Sequence, residues 1–183
     1  SLLLCGILSL LFSFEPHFMV DPAVSPDGTQ ICFVFMNDLW IVPFEGGTAR
    51  RLTSTDSSEN SPVFSPDGKL IAFNSNRDGQ NKIYTISPNG GLAQKIGNRN
   101  YELCDWFPDG KSLLAIGSDA SSEEPYFRID LQNPNKPNAL SGLSGMFSAV
   151  SPDGKTILFN KGGDAYRESY TGSHNGDLYI YDI

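Results

Sequence analysis

Histidine is nearly absent from this 183-residue chain, occurring only at His17 and His174. A serine or cysteine nucleophile needs a positioned base, so this scarcity leaves little from which to build a hydrolytic site. The nearest approach to a nucleophile elbow, Gly142-Leu-Ser-Gly145, is one residue short of Gly-x-Ser-x-Gly. No Walker loop or Gly-x-Gly-x-x-Gly fingerprint occurs, so no nucleotide cofactor is indicated. Cysteine is equally sparse: Cys5, Cys32 and Cys104 form an odd set without C-x-x-C spacing, which excludes a zinc ribbon and a complete disulfide framework. Cys32 and Cys104 read as buried strand residues. Basic residues are outnumbered 13 to 21, and the net charge of −8 argues against nucleic acid or an anionic membrane as partner. The sequence thus predicts no catalytic residue, no cofactor and no metal.

Long apolar runs are also missing, with one exception. Residues 2–14 are almost uninterrupted apolar sequence, too short for a membrane span of about 20 residues. This length suits the hydrophobic region of a signal peptide, and the competing reading is a buried strand of the fold. The first reading makes residues 1–14 a segment apart from the domain and the mature protein periplasmic or secreted, without a stable membrane span.

No helical periodicity is visible, but turn residues are abundant, with 18 Gly and 12 Pro. They are also periodic. Ser25-Pro-Asp-Gly28, Ser65-Pro-Asp-Gly68, Phe107-Pro-Asp-Gly110 and Ser151-Pro-Asp-Gly154 place their prolines at 26, 66, 108 and 152, spacings of 40, 42 and 44. In such a turn Pro presets φ at the first corner, Asp bonds the backbone two residues on, and Gly accepts positive φ, so each copy should join two antiparallel strands.

The flanks keep register with the turns. Val24, Phe64, Trp106 and Val150 stand two residues before each proline; Ile31, Ile71, Leu113 and Ile157 five after; and Phe33, Phe73, Ala115 and Phe159 seven after. The position between, Cys32, Ala72, Leu114 and Leu158, is apolar too, so these strands should be covered on both faces. A third strand follows at 39–42, 83–86, 126–129 and 178–181, and a more polar fourth at 48–53, 92–96 and 138–140. Arg50, Arg51 and Lys95 suit an exposed edge. Four short strands and their connections account for about 40 residues, one blade of a propeller. The expected fold is all-β: a β-propeller of four-stranded antiparallel blades over 15–183, with blades at about 21–53, 61–96, 103–141 and 147–183, the last lacking its outer strand. About four blades make an incomplete part of a six- or seven-bladed ring.

The stretch Ser65 to Gly79, with Ile83-Tyr84 and Gly90-Gly91, resembles the TolB-type, WD-like propeller repeat. Asp38-Leu-Trp-Ile-Val-Pro-Phe-Glu-Gly-Gly47 in blade 1, and Tyr166-Arg167 with Tyr170-x-Gly172 in blade 4, are similar to the amino-terminal propeller of tricorn-type serine peptidases. In that family the protease region follows the propeller, so the resemblance implies a non-catalytic part of a peptidase whose further carboxy-terminal domains are not in this sequence. There it would admit or position peptide substrates. The alternative is a TolB-type module that docks another envelope protein.

Loops after the second strand and between blades share one end of a propeller. This places Glu59, Asn60, Asn76, Arg77, Asn100, Tyr101, Arg167, Tyr170 and His174 together, a mixture of both charges and aromatics suited to a peptide or protein ligand. The Gly-rich stretch 161–177 reads either as a recognition loop or as a packing insertion. Asp164, Glu168, His174 and Asp177 within it match no metal-ligand spacing.

Overall fold

The structure, a computed structural model, describes residues 18–117, 126–143, 145–161 and 177–183. The segment 1–14 and the site candidates Arg167, Tyr170 and His174 lie outside them. The described residues form fifteen strands in four antiparallel sheets. Blade 1 contains β1 (Val20–Val24), β2 (Gln30–Phe35), β3 (Asp38–Pro43) and β4 (Arg50–Arg51). Blade 2 contains β5 (Glu59–Phe64), β6 (Ile71–Ser75), β7 (Lys82–Ile86) and β8 (Gln94–Ile96). Blade 3 contains β9 (Tyr101–Trp106), β10 (Ser112–Gly117), β11 (Tyr126–Asp130) and β12 (Asn138–Ala139); blade 4 has three strands, β13 (Met146–Val150), β14 (Thr156–Lys161) and β15 (Asp177–Asp182). Strands pair in chain order within each sheet, and the sheets stack in series without closing a ring.

The Pro-Asp-Gly turns join the first two strands of every blade. In blade 1 the Ser25 hydroxyl donates to Asp27 Oδ1 at 2.6 Å and accepts from the Gln30 N–H at 2.9 Å, while Thr29 N–H donates to Asp27 Oδ1 at 3.0 Å. Ser65 with Asp67 and Ser151 with Asp153 repeat this pattern. Blade 3 has Phe107 in place of the serine, and the turn is rewired: Asp109 accepts from the N–H groups of Lys111 and Ser112, from the Ser112 hydroxyl at 2.8 Å and from Arg128 at 2.6 Å.

Burial explains the two-faced apolar pattern of the second strands. Residues five and seven after each turn proline face the preceding blade: Ile71 and Phe73 pack with Cys32, Val34, Leu39 and Ile41. Residues six and eight after it face the following blade, as Leu114 and Ile116 do toward Ile157 and Phe159. The core is therefore three layers between adjacent sheets, each stabilised by removal of apolar area from water at about 25 cal/mol per Å2.

Two local readings need correction. The outer strand of blade 1 is a ladder at Arg50–Arg51 rather than over 48–53, followed by a bond from the Leu52 N–H to the Leu39 carbonyl at 2.7 Å. Cys104 is only half-buried, whereas Cys32 is fully buried. The register passes from Leu114 opposite Asp105 to Ala115 opposite Leu103, so Cys104 sits in a bulge.

Candidate functional site

The loops after β2 and β6 and those entering β5 and β9 meet at one end of the sheets. Main-chain bonds fix this end: Glu59 N–H donates to the Asn37 carbonyl at 2.9 Å, and Ser58 N–H donates to Asn76 Oδ1 at 2.8 Å. Six of the candidate contact residues fall here. Asn76 is exposed; Asn60 and Arg77 are half-buried; Asn100 bonds Gln80 Oε1 at 2.8 Å.

Glu59 and Tyr101 lie beneath this surface, each about 1% exposed. Glu59 Oε1 accepts from Arg77 and from the Thr55 hydroxyl, both at 2.9 Å, while Oε2 is buried without a hydrogen-bond partner. The Arg77 guanidinium is held from below by the Ser75 hydroxyl at 2.9 Å and lies 4.5 Å from the Tyr84 ring centre. The result is a cation clamped between a carboxylate and an aromatic face, with one edge reaching the surface. Tyr101 meets Phe127 edge to face at 5.6 Å, and the Arg99 guanidinium lies 5.5 Å from the Phe127 ring centre.

A second feature escaped the sequence reading. The inner strands β1, β5 and β13 each carry a bulge in which a non-glycine residue takes positive φ: Asp21 at 51°, Ser61 at 52° and Phe147 at 51°. Each stands five residues before its turn proline, so the recurrence was available, but the residue types share no chemistry that would reveal it. The bulges link blades, Ser61 N–H donating to Asp21 Oδ2 at 3.0 Å. Beside β9 and β13 a cavity of about 480 Å3 is lined by Ser61, Glu102, Cys104, Phe147, Ser148 and Leu158 among others. Burial pushes the Cys104 thiol up to about 11, so it remains protonated and unreactive at neutral pH. Burial likewise raises the Asp105 carboxyl, against the lowering effect of the Val150 and Trp106 N–H groups that it accepts.

Among the described residues no cluster of His, Cys, Asp and Glu could hold a metal ion, and no helix is long and apolar enough to cross a membrane. The arrangement can present hydrogen-bonding amides and one buttressed cation to an extended ligand.

Comparison with known proteins identifies the family of this fold. The family described as the tricorn protease N-terminal β-propeller domain matches residues 16–183. Tricorn protease homolog 1 of Streptomyces coelicolor is 32% identical over 107 residues, covering 56% of this chain and 10% of that protein. The uncharacterized peptidase YuxL of Bacillus subtilis is 30% identical over 140 residues, covering 69% of this chain and 21% of that protein. The matched part of the chain therefore spans only about a tenth to a fifth of the length of these relatives. Among solved structures, TolB from Acinetobacter baumannii aligns with a TM-score of 0.71 at 27% identity, covering 91% of this chain and 41% of that one. The tricorn protease structure aligns at 0.66 and 22% identity, covering 91% and 17%.

Proposed function

Because the chain belongs to the tricorn protease N-terminal β-propeller family, we propose that it is the non-catalytic propeller portion of a secreted or periplasmic serine peptidase and admits or positions peptide substrates. The observation that carries this reading is the family match over 16–183, joined to two peptidase relatives far longer than this chain. The loop end described above fits the role chemically. Asn60, Asn76 and Asn100 can pair with the backbone of an extended peptide, and the exposed edge of the Glu59-paired Arg77 can donate to its carbonyls or carboxylates.

The test is titration of the purified chain with fluorescently labelled peptides of eight to fifteen residues, read by anisotropy, with a hydrolysis assay in parallel. Saturable binding, weakened by alanine at Asn60, Asn100 and Arg167, and no turnover, is the expected result. Binding indifferent to all three substitutions, or hydrolysis by a clean preparation, overturns it.

A second reading is favoured by the likeness to TolB: docking of another envelope protein through the same end. Retention of a folded protein partner, with no affinity for short peptides, would select that reading.

A further inference from the structure

In blade 1 the connection between β2 and β3 is a two-residue turn: Phe35 pairs with Asp38 across Met36-Asn37, and both turn residues take positive φ, 50° at Met36 and 66° at Asn37. A hairpin turn of this kind favours Asn-Gly, whose first residue tolerates the left-handed region and whose second has no Cβ. Methionine suits it poorly, because a bulky side chain at positive φ is driven against its own backbone. Burial does not offset the strain, since Met36 is 58% exposed.

The conformation is imposed from around the turn. The Trp40 indole N–H donates to the Phe35 carbonyl at 3.1 Å, and the Glu59 N–H donates to the Asn37 carbonyl at 2.9 Å. Asp38 is buried and accepts from Arg51 and, at 3.1 Å, from the Thr53 hydroxyl. Strain persists only where the surroundings over-determine it, and such an outlier is a ground for assigning function. The bond to Glu59 also fixes the place. The turn stands over the seam between blades 1 and 2, at the loop end, and the Ser58 N–H beside Glu59 donates to Asn76 Oδ1 at 2.8 Å.

The groups around Met36 are nearly indifferent to the side chains of a ligand. The Asn60 and Asn76 amides address backbone, and the Arg77 charge is offset by Glu59 at 2.9 Å. A rigidly held apolar group among them supplies what they cannot, a contact that excludes water at little cost in ordering. We infer that Met36 is a specificity-determining contact that receives a large apolar side chain of an extended peptide whose backbone runs along Asn60 and Asn76. This rests on the reading of the loop end as a peptide-binding surface. A thioether on three rotatable bonds adapts to leucine or phenylalanine alike, so selection is by size and apolarity rather than by shape.

The probes are capped, fluorescently labelled decapeptides of Ser, Gly and one Lys, with Ala, Leu or Phe at one central position, titrated into the whole chain and read by anisotropy. The Leu and Phe peptides should bind about tenfold more tightly than the Ala peptide. M36N, which suits the turn, should raise the melting temperature by about 2 to 4 °C and abolish that preference. N37G relaxes the same turn with Met36 in place, so it should raise the melting temperature and keep the preference. Equal binding of the Leu and Ala peptides by the unsubstituted chain, or an undiminished preference in M36N, would overturn the inference while leaving peptide binding standing. So would loss of the preference in N37G, which would assign it to the shape of the turn. Absence of binding by every peptide would instead remove the reading beneath it, and the inference with it.

Discussion

The Arg128 guanidinium lies 4.1 Å from the centre of the Phe107 ring while donating to Asp109 at 2.6 Å. Together with the Ser112 hydroxyl, which donates to Asp109 at 2.8 Å, this guanidinium supplies the donors that the other turns obtain from the serine before their proline. Phe107 is buried between blades 3 and 4 with Leu114, Tyr126, Leu143 and Ile157. Restoring the repeat pattern by Phe107→Ser should therefore destabilise the chain rather than regularise it. Losing the ring from this layer costs about 3 kcal/mol, more than one recovered turn hydrogen bond returns. Urea denaturation checks this, and a neutral or stabilising effect would contradict the packing account.

The grip of the Asn74 carboxamide on β9 predicts that Asn74→Leu, although similar in size and more apolar, weakens the fold. It removes the bonds, both 2.7 Å, from the buried Asn74 Nδ2 to the Tyr101 carbonyl and from the Leu103 N–H to Asn74 Oδ1, a loss of about 2 to 4 kcal/mol. Hydrogen exchange at Leu103 should accelerate more than exchange in blade 1. Uniform acceleration across all blades would point to global unfolding instead.

Removing one partner of the Glu59–Arg77 pair should be worse than removing both. Arg77→Ala strands a carboxylate that is about 1% exposed, costing roughly 3 kcal/mol or more. The double variant E59Q/R77M keeps the bulk without the charges and should recover most of that loss. Thermal melts of the two single variants and the double variant give the coupling directly.

Acid sensitivity should reside partly in the turns. The Lys69 N–H and the Ser65 hydroxyl hold the Asp67 carboxyl down to about 2, from an ordinary value of 3.8. A carboxylate depressed in the folded state contributes stability above its unfolded value and loses it as pH falls through the folded one. The melting temperature should thus decline between pH 4 and pH 2, and Asp67→Asn should flatten that decline. An unchanged slope in the variant would remove this turn as a source.

The blades were legible because Pro-Asp-Gly carries its geometry locally and recurs at a near-constant interval, so period, strand order and two-sided burial all followed from counting. The links between blades were not. Asn74 reads as a polar residue in a strand, and nothing near it in the chain reveals partners at Tyr101 and Leu103. Glu59 and Tyr101 were assigned to the loop end from their positions, yet their side chains are buried, since burial here depends on what a neighbouring sheet lays over a strand end. The Glu59 and Arg77 charges are 18 residues apart and meet only because β5 and β6 pair.

Adjacent sheets are also joined by bonds that end on main-chain atoms: Asn74 to β9, the Trp106 indole to the Val63 carbonyl at 3.0 Å, the Val150 N–H to Asp105, and Arg50 to the Pro88 carbonyl. In each, one side is a backbone group that every amino acid but proline supplies in full. Such a joint makes small demands on the sequence of the neighbour it holds. A blade could be duplicated, exchanged or allowed to drift in composition with its seam intact, provided the few gripping side chains persist.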